Sequence, residues 1–244
     1  MMSFRGNYLG RLALPVSSVW LVGDVAEAKG RQALYLDKSP EILTALRETA
    51  LVQSVESSNR IEGVTVAPER LRPLVLENDR PRDRSEEEIQ GYRRALELIH
   101  AEAKNLAITP ELLQRLHATI QEGSGDAGQW KQVDNEIIEL REGAPPLVAV
   151  AALVFDFLCI HPFRDGNGRI SRLLTLLALY QHGYEVGRYV SLERLIEESQ
   201  SEYYDVLHRS SDGWHEGRHD LIPWLSFFLA ILKRAYRELD RLPA

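Results

Sequence analysis

The sequence predicts an all-α fold, and three observations predict it. Helix start signals recur along the chain, at Ser39-Pro40-Glu41, Ser85-Glu86-Glu87-Glu88 and Thr109-Pro110-Glu111, each followed by apolar residues at three- and four-residue spacing. Two apolar runs, Leu147–Ile160 with Asp156 as its only charge and Leu173–Leu179 closed by Gly183, read as buried helices and do not alternate as an exposed strand would. One stretch alone, Gln129 to Leu140, has strand character, and it predicts a β-hairpin or extended flap ending at Arg141-Glu142-Gly143.

Taken in order, Arg5 to Pro15 is an irregular lead-in. Trp20, Leu21, Val25 and Ala28 set a helical rhythm behind Ser17-Ser18 that ends near Leu36. Ser39 caps a helix with proline at its first position, carried by Ile42, Leu46, Leu51, Val52 and Val55 to about Asn59, with Gly63 just beyond it. Pro68 opens a short helix, and Asn78 to Arg84 is a charged turn. Ser85 and Glu88 form a capping box for a helix through Ile89, Tyr92, Leu96 and Ile99. Thr109 caps the next, with Leu112, Leu113, Leu116 and Ile120 as its apolar face and His117 as a surface or internally satisfied residue. Ser191 starts a helix through Leu195, Tyr203 and Leu207, and Asp220 caps the last, with Trp224, Phe227, Phe228 and Ile231. His208, His215 and His219 show no metal-ligand spacing and read as loop residues.

The 244 residues allow one large or two small domains with a sizeable core, and 44% apolar with 27% charged residues is ordinary for a globular protein. A net charge of -7 argues against general nucleic-acid binding and against an anionic membrane surface. The single cysteine, Cys159, excludes an intrachain disulfide and reads as a small buried hydrophobe. Met1 to Leu12 lacks the apolar core of a signal peptide, and no stretch reaches the ~20 uncharged apolar residues of a membrane span, so no membrane is expected and the cytoplasm is the default location.

Between the two apolar runs lies a polar dozen, His161 to Arg172, and its residues carry chemistry. Gly166-Asn167-Gly168 permits a tight turn and a close backbone approach. A helix starting at about Asn167 or Gly168 points unpaired N–H groups and its positive dipole end at the loop, a site suited to phosphate. Arg169 and Arg172 are three apart and share a helix face, so both guanidinium groups can reach one polyphosphate. Asp165 would repel that phosphate unless a cation lies between, and Mg²⁺ held by one carboxylate and phosphate oxygens fits. His161 is the one neutral-pH base in the loop, available to take a proton from an attacking hydroxyl.

This dozen resembles the Fic signature, H-x-F-x-[DE]-G-N-G-R-x-x-R, at every fixed position. The resemblance implies an all-α, Fic-type helical bundle with a small β-hairpin flap. It implies transfer of AMP from ATP to a hydroxyl side chain (Ser, Thr or Tyr) of a target protein or of the chain itself. His161 would then be the catalytic base and Asp165 the Mg²⁺ ligand. Gly166, Asn167, Gly168 and Arg169 would cradle phosphates, Arg172 would grip the γ-phosphate, and Phe163 would anchor the loop. The pair Tyr203-Tyr204 recurs in the family beside the nucleotide. Ser58 to Gly63 resembles the family's inhibitory motif, [ST]-x-x-x-E-[GN], which implies a salt bridge from Glu62 to Arg172 that blocks the γ-phosphate position.

On this reading residues 1–84 are an N-terminal helical portion carrying the inhibitory helix, and residues 85–244 are the core with flap, signature loop and C-terminal helices. The flap, about 129–142, would receive the target by strand addition. The family often has G-x-x-R ahead of it, where this chain reads Gly128-Gln129-Trp130-Lys131. A homodimer is kept among the partners, and two other functions stay open. One is removal of AMP from a modified protein using the inhibitory Glu62. The other is a non-catalytic nucleotide-binding regulator, against which the intact His161 argues, since binding alone needs no base.

Overall fold

The computed structural model describes residues 1–35, 39–131 and 144–241, and all regular structure among them is helical. A single turn α1 (Tyr8–Arg11) precedes α2 (Val16–Arg31), which runs into a 3₁₀ turn at Gln32–Tyr35. There follow α3 (Pro40–Ile61), α4 (Pro68–Leu76), α5 (Arg84–Glu102) and α6 (Pro110–Ile120). The central pair is α7 (Pro146–Ile160) and α8 (Asn167–Gln181), and α9 (Leu192–Glu198), α10 (Gln200–Ser211) and α11 (Ile222–Arg241) complete the chain. The hairpin flap expected at about 129–142 lies, from residue 132 to 143, outside the described residues, and residues 129–131 form no strand. The fold is therefore all-α among the described residues, without support for the hairpin.

The start signals work as local chemistry. Ser39 Oγ accepts from the Ile42 amide at 3.3 Å, Thr109 Oγ1 from Leu112 at 3.2 Å, and Ser191 Oγ from Arg194 at 3.0 Å. For α5 the sequence reading is corrected. Asp83, not Ser85, is the cap, its Oδ1 accepting from the Glu86 amide at 2.9 Å. The acids that suggested a capping box serve tertiary partners instead: Glu86 binds Arg70 and Glu88 binds Arg169. The single helix expected from Ser191 onward is broken at Ser199, so that α9 lies between α3 and α11 while α10 lies on α11.

The core sits around α7 and α8. Leu147 to Leu158 and Ile170 to Tyr180 are buried without interruption, so both helices are covered on every side and packing, not an amphipathic stripe, holds them. One apolar cluster runs from Val25 and Val52 through α7 and α8 to Tyr236. The lone charge on α7, Asp156, is fully buried and accepts from the Ser3 amide (2.9 Å), Ser3 Oγ (2.7 Å) and Trp214 Nε1 (2.7 Å). Burial still pushes its carboxyl above the usual range, against those three donors. His219, expected in a loop, is itself buried, bonded to Ser3 Oγ (2.9 Å) and stacked on Tyr8 at 4.3 Å. Among the described residues no helix is long and apolar enough to cross a membrane.

Candidate active site

The loop between α7 and α8 is shaped by two left-handed residues and one amide. His161 ends α7 at φ 51°, ψ 58°, its N–H bonded to Phe157 O at 2.9 Å. For a residue with a Cβ that conformation costs about 1–2 kcal/mol, and histidine tolerates it better than most. Gly166, at φ 74°, turns the chain into α8. Between them Asn167 folds the loop back on itself: its Oδ1 accepts from the Phe163 amide (2.9 Å) and its Nδ2 donates to Phe163 O (2.8 Å). The carbonyl and one N–H of the Asn167 side chain are thereby engaged with the loop backbone, so it shapes the cradle that the loop forms.

Phe163 is fully buried, stacked on His117 at 3.9 Å and on Trp130 at 4.6 Å. His117 does more than pack. Its Nδ1 accepts from the Gly128 amide (2.8 Å), which leaves Nε2–H to donate to Asp165 O (3.1 Å). Burial foremost holds this imidazole below its ordinary value, so it stays neutral in that tautomer. Gln121 Nε2 donates to Asp165 Oδ2 at 3.1 Å, and Lys131 N to Pro162 O at 2.8 Å. Thus α6 and the segment after it grip the loop from below.

The two signature arginines are almost completely buried. Arg169 Nη1 donates to Glu88 Oε2 on α5 at 2.5 Å and to Asn59 Oδ1 on α3 at 3.2 Å, and Asp165 lies 3.7 Å from Nη2. Arg172 Nε donates to Ser58 Oγ (2.8 Å), and Nη2 donates to both Ser58 O (2.8 Å) and Glu62 Oε1 (2.8 Å). Glu62 stands at the C-terminal end of α3, released from it by Gly63 at φ 81°. Its carboxylate lies directly against the first turn of α8: a Cβ on Gly168 would sit 2.1 Å from Glu62 Oε1. A methyl there would displace the carboxylate, which stands beside the helix start, where an anion is favoured.

His161 is exposed at the lip of this cradle. Desolvation by the surrounding protein, and then the Lys131 ammonium, hold its imidazole below the ordinary value, so the neutral, proton-accepting form prevails at neutral pH. The side chain of Asp165 is 64% exposed, with Oδ1 accepting from the Gly166 amide at 2.6 Å. The tyrosine pair packs edge to face at 5.1 Å but differs in exposure. Tyr203 is buried against Trp224 and Phe227, its hydroxyl pushed up to about 12 by burial, while Tyr204 is 46% exposed in a groove with Cys159, Trp214 and His215. Cys159 is partly buried, and burial drives its thiol well above its usual range.

The donors present fit a magnesium-bound nucleotide. Two buried nitrogens, Arg169 Nε and Arg172 Nη1, have no hydrogen-bond partner among the described residues, and the first turn of α8 carries no Cβ at Gly168. No group of three or more acidic, histidine or cysteine side chains gathers there among the described residues, so a cation would rely on Asp165, phosphate and water, as Mg²⁺ does. Glu88, Asn59, His117 and Gln121 escaped the sequence reading. Their local signals were a capping box and helix faces, and their partners are 44 to 110 positions away in the chain.

Residues 107–179 match the Fic/DOC family model. A Fido domain-containing protein of Dictyostelium discoideum is 46% identical over 39 residues, a match that spans 16% of this chain and 27% of that protein. The fold is similar to a Fic family protein from Desulfovibrio desulfuricans, with TM-score 0.75 and 22% identity over 96% of this chain and 78% of that one. It is also similar to a Fic domain containing signaling protein from Bacteroides thetaiotaomicron, with TM-score 0.71 and 20% identity over 88% of this chain and 96% of that one. At these identities the likeness to the solved structures is one of fold.

Proposed function

We propose, from the match of residues 107–179 to the Fic/DOC family model, whose members generally transfer AMP or other nucleotide-derived groups to proteins, that the chain is an autoinhibited protein adenylyltransferase. The substrate is ATP and the acceptor a hydroxyl side chain of a target protein or of the chain itself. One observation carries the reading: the Glu62 carboxylate is bonded to Arg172 at 2.8 Å and lies against Gly168, in the anion position of the helix start.

His161 takes the proton of the attacking hydroxyl, whose oxygen bonds to the α-phosphorus while the bond to the β-phosphate breaks and pyrophosphate leaves. The backbone of Gly166 and Gly168 and the guanidinium of Arg169 bind the phosphate oxygens, and Arg172 binds the terminal phosphate once Glu62 has left it. Asp165 would hold Mg²⁺, which neutralises charge on the phosphates. While Glu62 holds Arg172, the terminal phosphate has neither its cation nor its space.

Intact-mass measurement after incubation with ATP and Mg²⁺ tests this. The Glu62→Gly protein should gain the mass of AMP on itself or on an added target, and the Glu62→Gly, His161→Ala protein should not. An unchanged mass in both, with the fold intact, refutes the reading.

A further inference from the structure

The two signature arginines are held in different ways. Arg172 is bonded by Ser58 and Glu62, in the last turn of α3, whereas the charged partner of Arg169 comes from α5 and belongs to neither motif. That partner, Glu88, is buried, and its Oε2 accepts from Arg169 Nη1 at 2.5 Å. Asn59 Oδ1 accepts from the same nitrogen at 3.2 Å. The Asn59 amide is fixed in this sense, because its Nδ2 donates to Val55 O at 2.8 Å and so turns Oδ1 to the arginine. Nη1 carries two hydrogens and meets two acceptors, so this end of the guanidinium is fully engaged.

The other edge of the same group is open. Among the described residues Nη2 meets only the Asp165 carboxylate, 3.7 Å away and beyond hydrogen-bond reach, and the buried Nε has no partner. Nε and Nη2 form one planar fork, a shape that suits two oxygens of a phosphate. A cation as buried as Arg169, at 1% exposure, needs a full counter-charge close by. Asp165 does not supply it, since its side chain is 64% exposed and its oxygens accept from Gln121 and from the Gly166 amide. Glu88 does, with its side chain 11% exposed and its second oxygen accepting from Arg84 at 3.2 Å. Its pull on Nη1 keeps the guanidinium from closing the gap to Asp165, a move that would take the fork away from a phosphate.

We propose that Glu88 is the positioning residue of Arg169: it neutralises the buried cation at Nη1 and holds the Nε–Nη2 fork open for phosphate oxygens, whether or not Glu62 occupies Arg172. What the fork grips rests on the adenylyltransferase reading, and the anchoring itself does not. The two acids thereby divide the work. Glu62, its side chain 24% exposed, blocks one signature arginine and must withdraw, while Glu88 stays on the other in both states.

The test uses the full chain carrying Glu62→Gly, with ATP affinity measured by titration calorimetry in Mg²⁺. Adding Glu88→Gln, which keeps the shape and removes the charge, should weaken ATP about tenfold, as loss of a charge-assisted bond would. In a chain that also carries Arg169→Gln, the same Glu88→Gln change should shift affinity by no more than about twofold, because the residue it acts through is gone. Equal losses with and without Arg169, or no loss with it, overturn the proposal. If the Glu62→Gly parent binds no ATP, the adenylyltransferase reading fails. The anchoring is then decided by NMR in the otherwise wild-type chain, as it is if Arg169→Gln leaves no measurable binding. Rotation about the Arg169 Nε–Cζ bond, followed at its Nη nitrogens, should quicken at least about tenfold on Glu88→Gln, and unchanged rotation overturns the anchoring. Should Glu88→Gln fail to fold, Glu88→Asp, which withdraws the charge by one carbon, is read in its place in both measurements with the same expected direction.

Discussion

Replacing Glu62 by glycine removes one contact and should have two opposite effects. The lost contact is the 2.8 Å bond to Arg172, between a cation 3% exposed and a carboxylate 24% exposed. Breaking a fully buried pair costs about 3–5 kcal/mol. Here Glu62 keeps part of its hydration and Arg172 retains two bonds to Ser58, so the loss is closer to that of one charged hydrogen bond, about 2 kcal/mol. For a chain of this length that lowers Tm by about 4–8 °C. The same ~2 kcal/mol no longer opposes phosphate, so ATP affinity in Mg²⁺ should rise roughly thirtyfold. Calorimetric titration and thermal unfolding of wild type and variant read both numbers. A variant that loses stability without gaining ATP affinity would show that Glu62 is a structural strut and that the anion at the start of α8 is not a stand-in for phosphate.

Other substitutions probe separate parts of the same site. Gly168→Ala puts a methyl where Glu62 Oε1 stands 2.1 Å away, so it should expel the acid and lower Tm by a few degrees, yet leave ATP affinity at or below wild type because the methyl now fills the cradle; a gain in affinity would be the contrary result. Phe163→Ala deletes a fully buried ring held between His117 and Trp130, and urea unfolding should show a loss of about 3–5 kcal/mol; a cost under about 1 would mean the loop is not anchored there. His100 is held down to about 4, foremost by burial and then by Arg188. Its folded value lies below its unfolded one, so the stability it contributes is present above pH ~6.5 and is lost as pH falls from there toward 4, by about 3 kcal/mol at most. Stability measured across that window should fall less steeply in His100→Gln, and parallel curves would refute the assignment.

The helices and the dozen were legible because their signals are local. A cap bonds an amide three residues on, as Ser39 and Thr109 do, and a helix buried on all sides needs an unbroken apolar run, as α7 has. The α5 start was misread for the same reason inverted. Ser85 and Glu88 have capping-box spacing, but Glu88 is drawn to Arg169, 81 positions away, and Asp83 caps instead. The split at Ser199 was hidden too, since the apolar rhythm of Leu195 and Tyr203 continues across it while the first half packs on both α3 and α11 and the second chiefly on α11.

By itself, then, the amino-acid order determined the helical class and the turn at Gly166 to Gly168, and it supplied the residues proposed as base, acid and phosphate-binding arginines, because turn formation, capping and side-chain chemistry depend on residues within a few positions of one another. Only the tertiary structure decided that Asn167 bonds Phe163, that Tyr203 is buried while Tyr204 is exposed, and that Arg172 also holds Ser58. Arg172 and Ser58 stand 114 positions apart, and the place each buried group takes follows from where it finds partners once water has been excluded, a condition that no local pattern records.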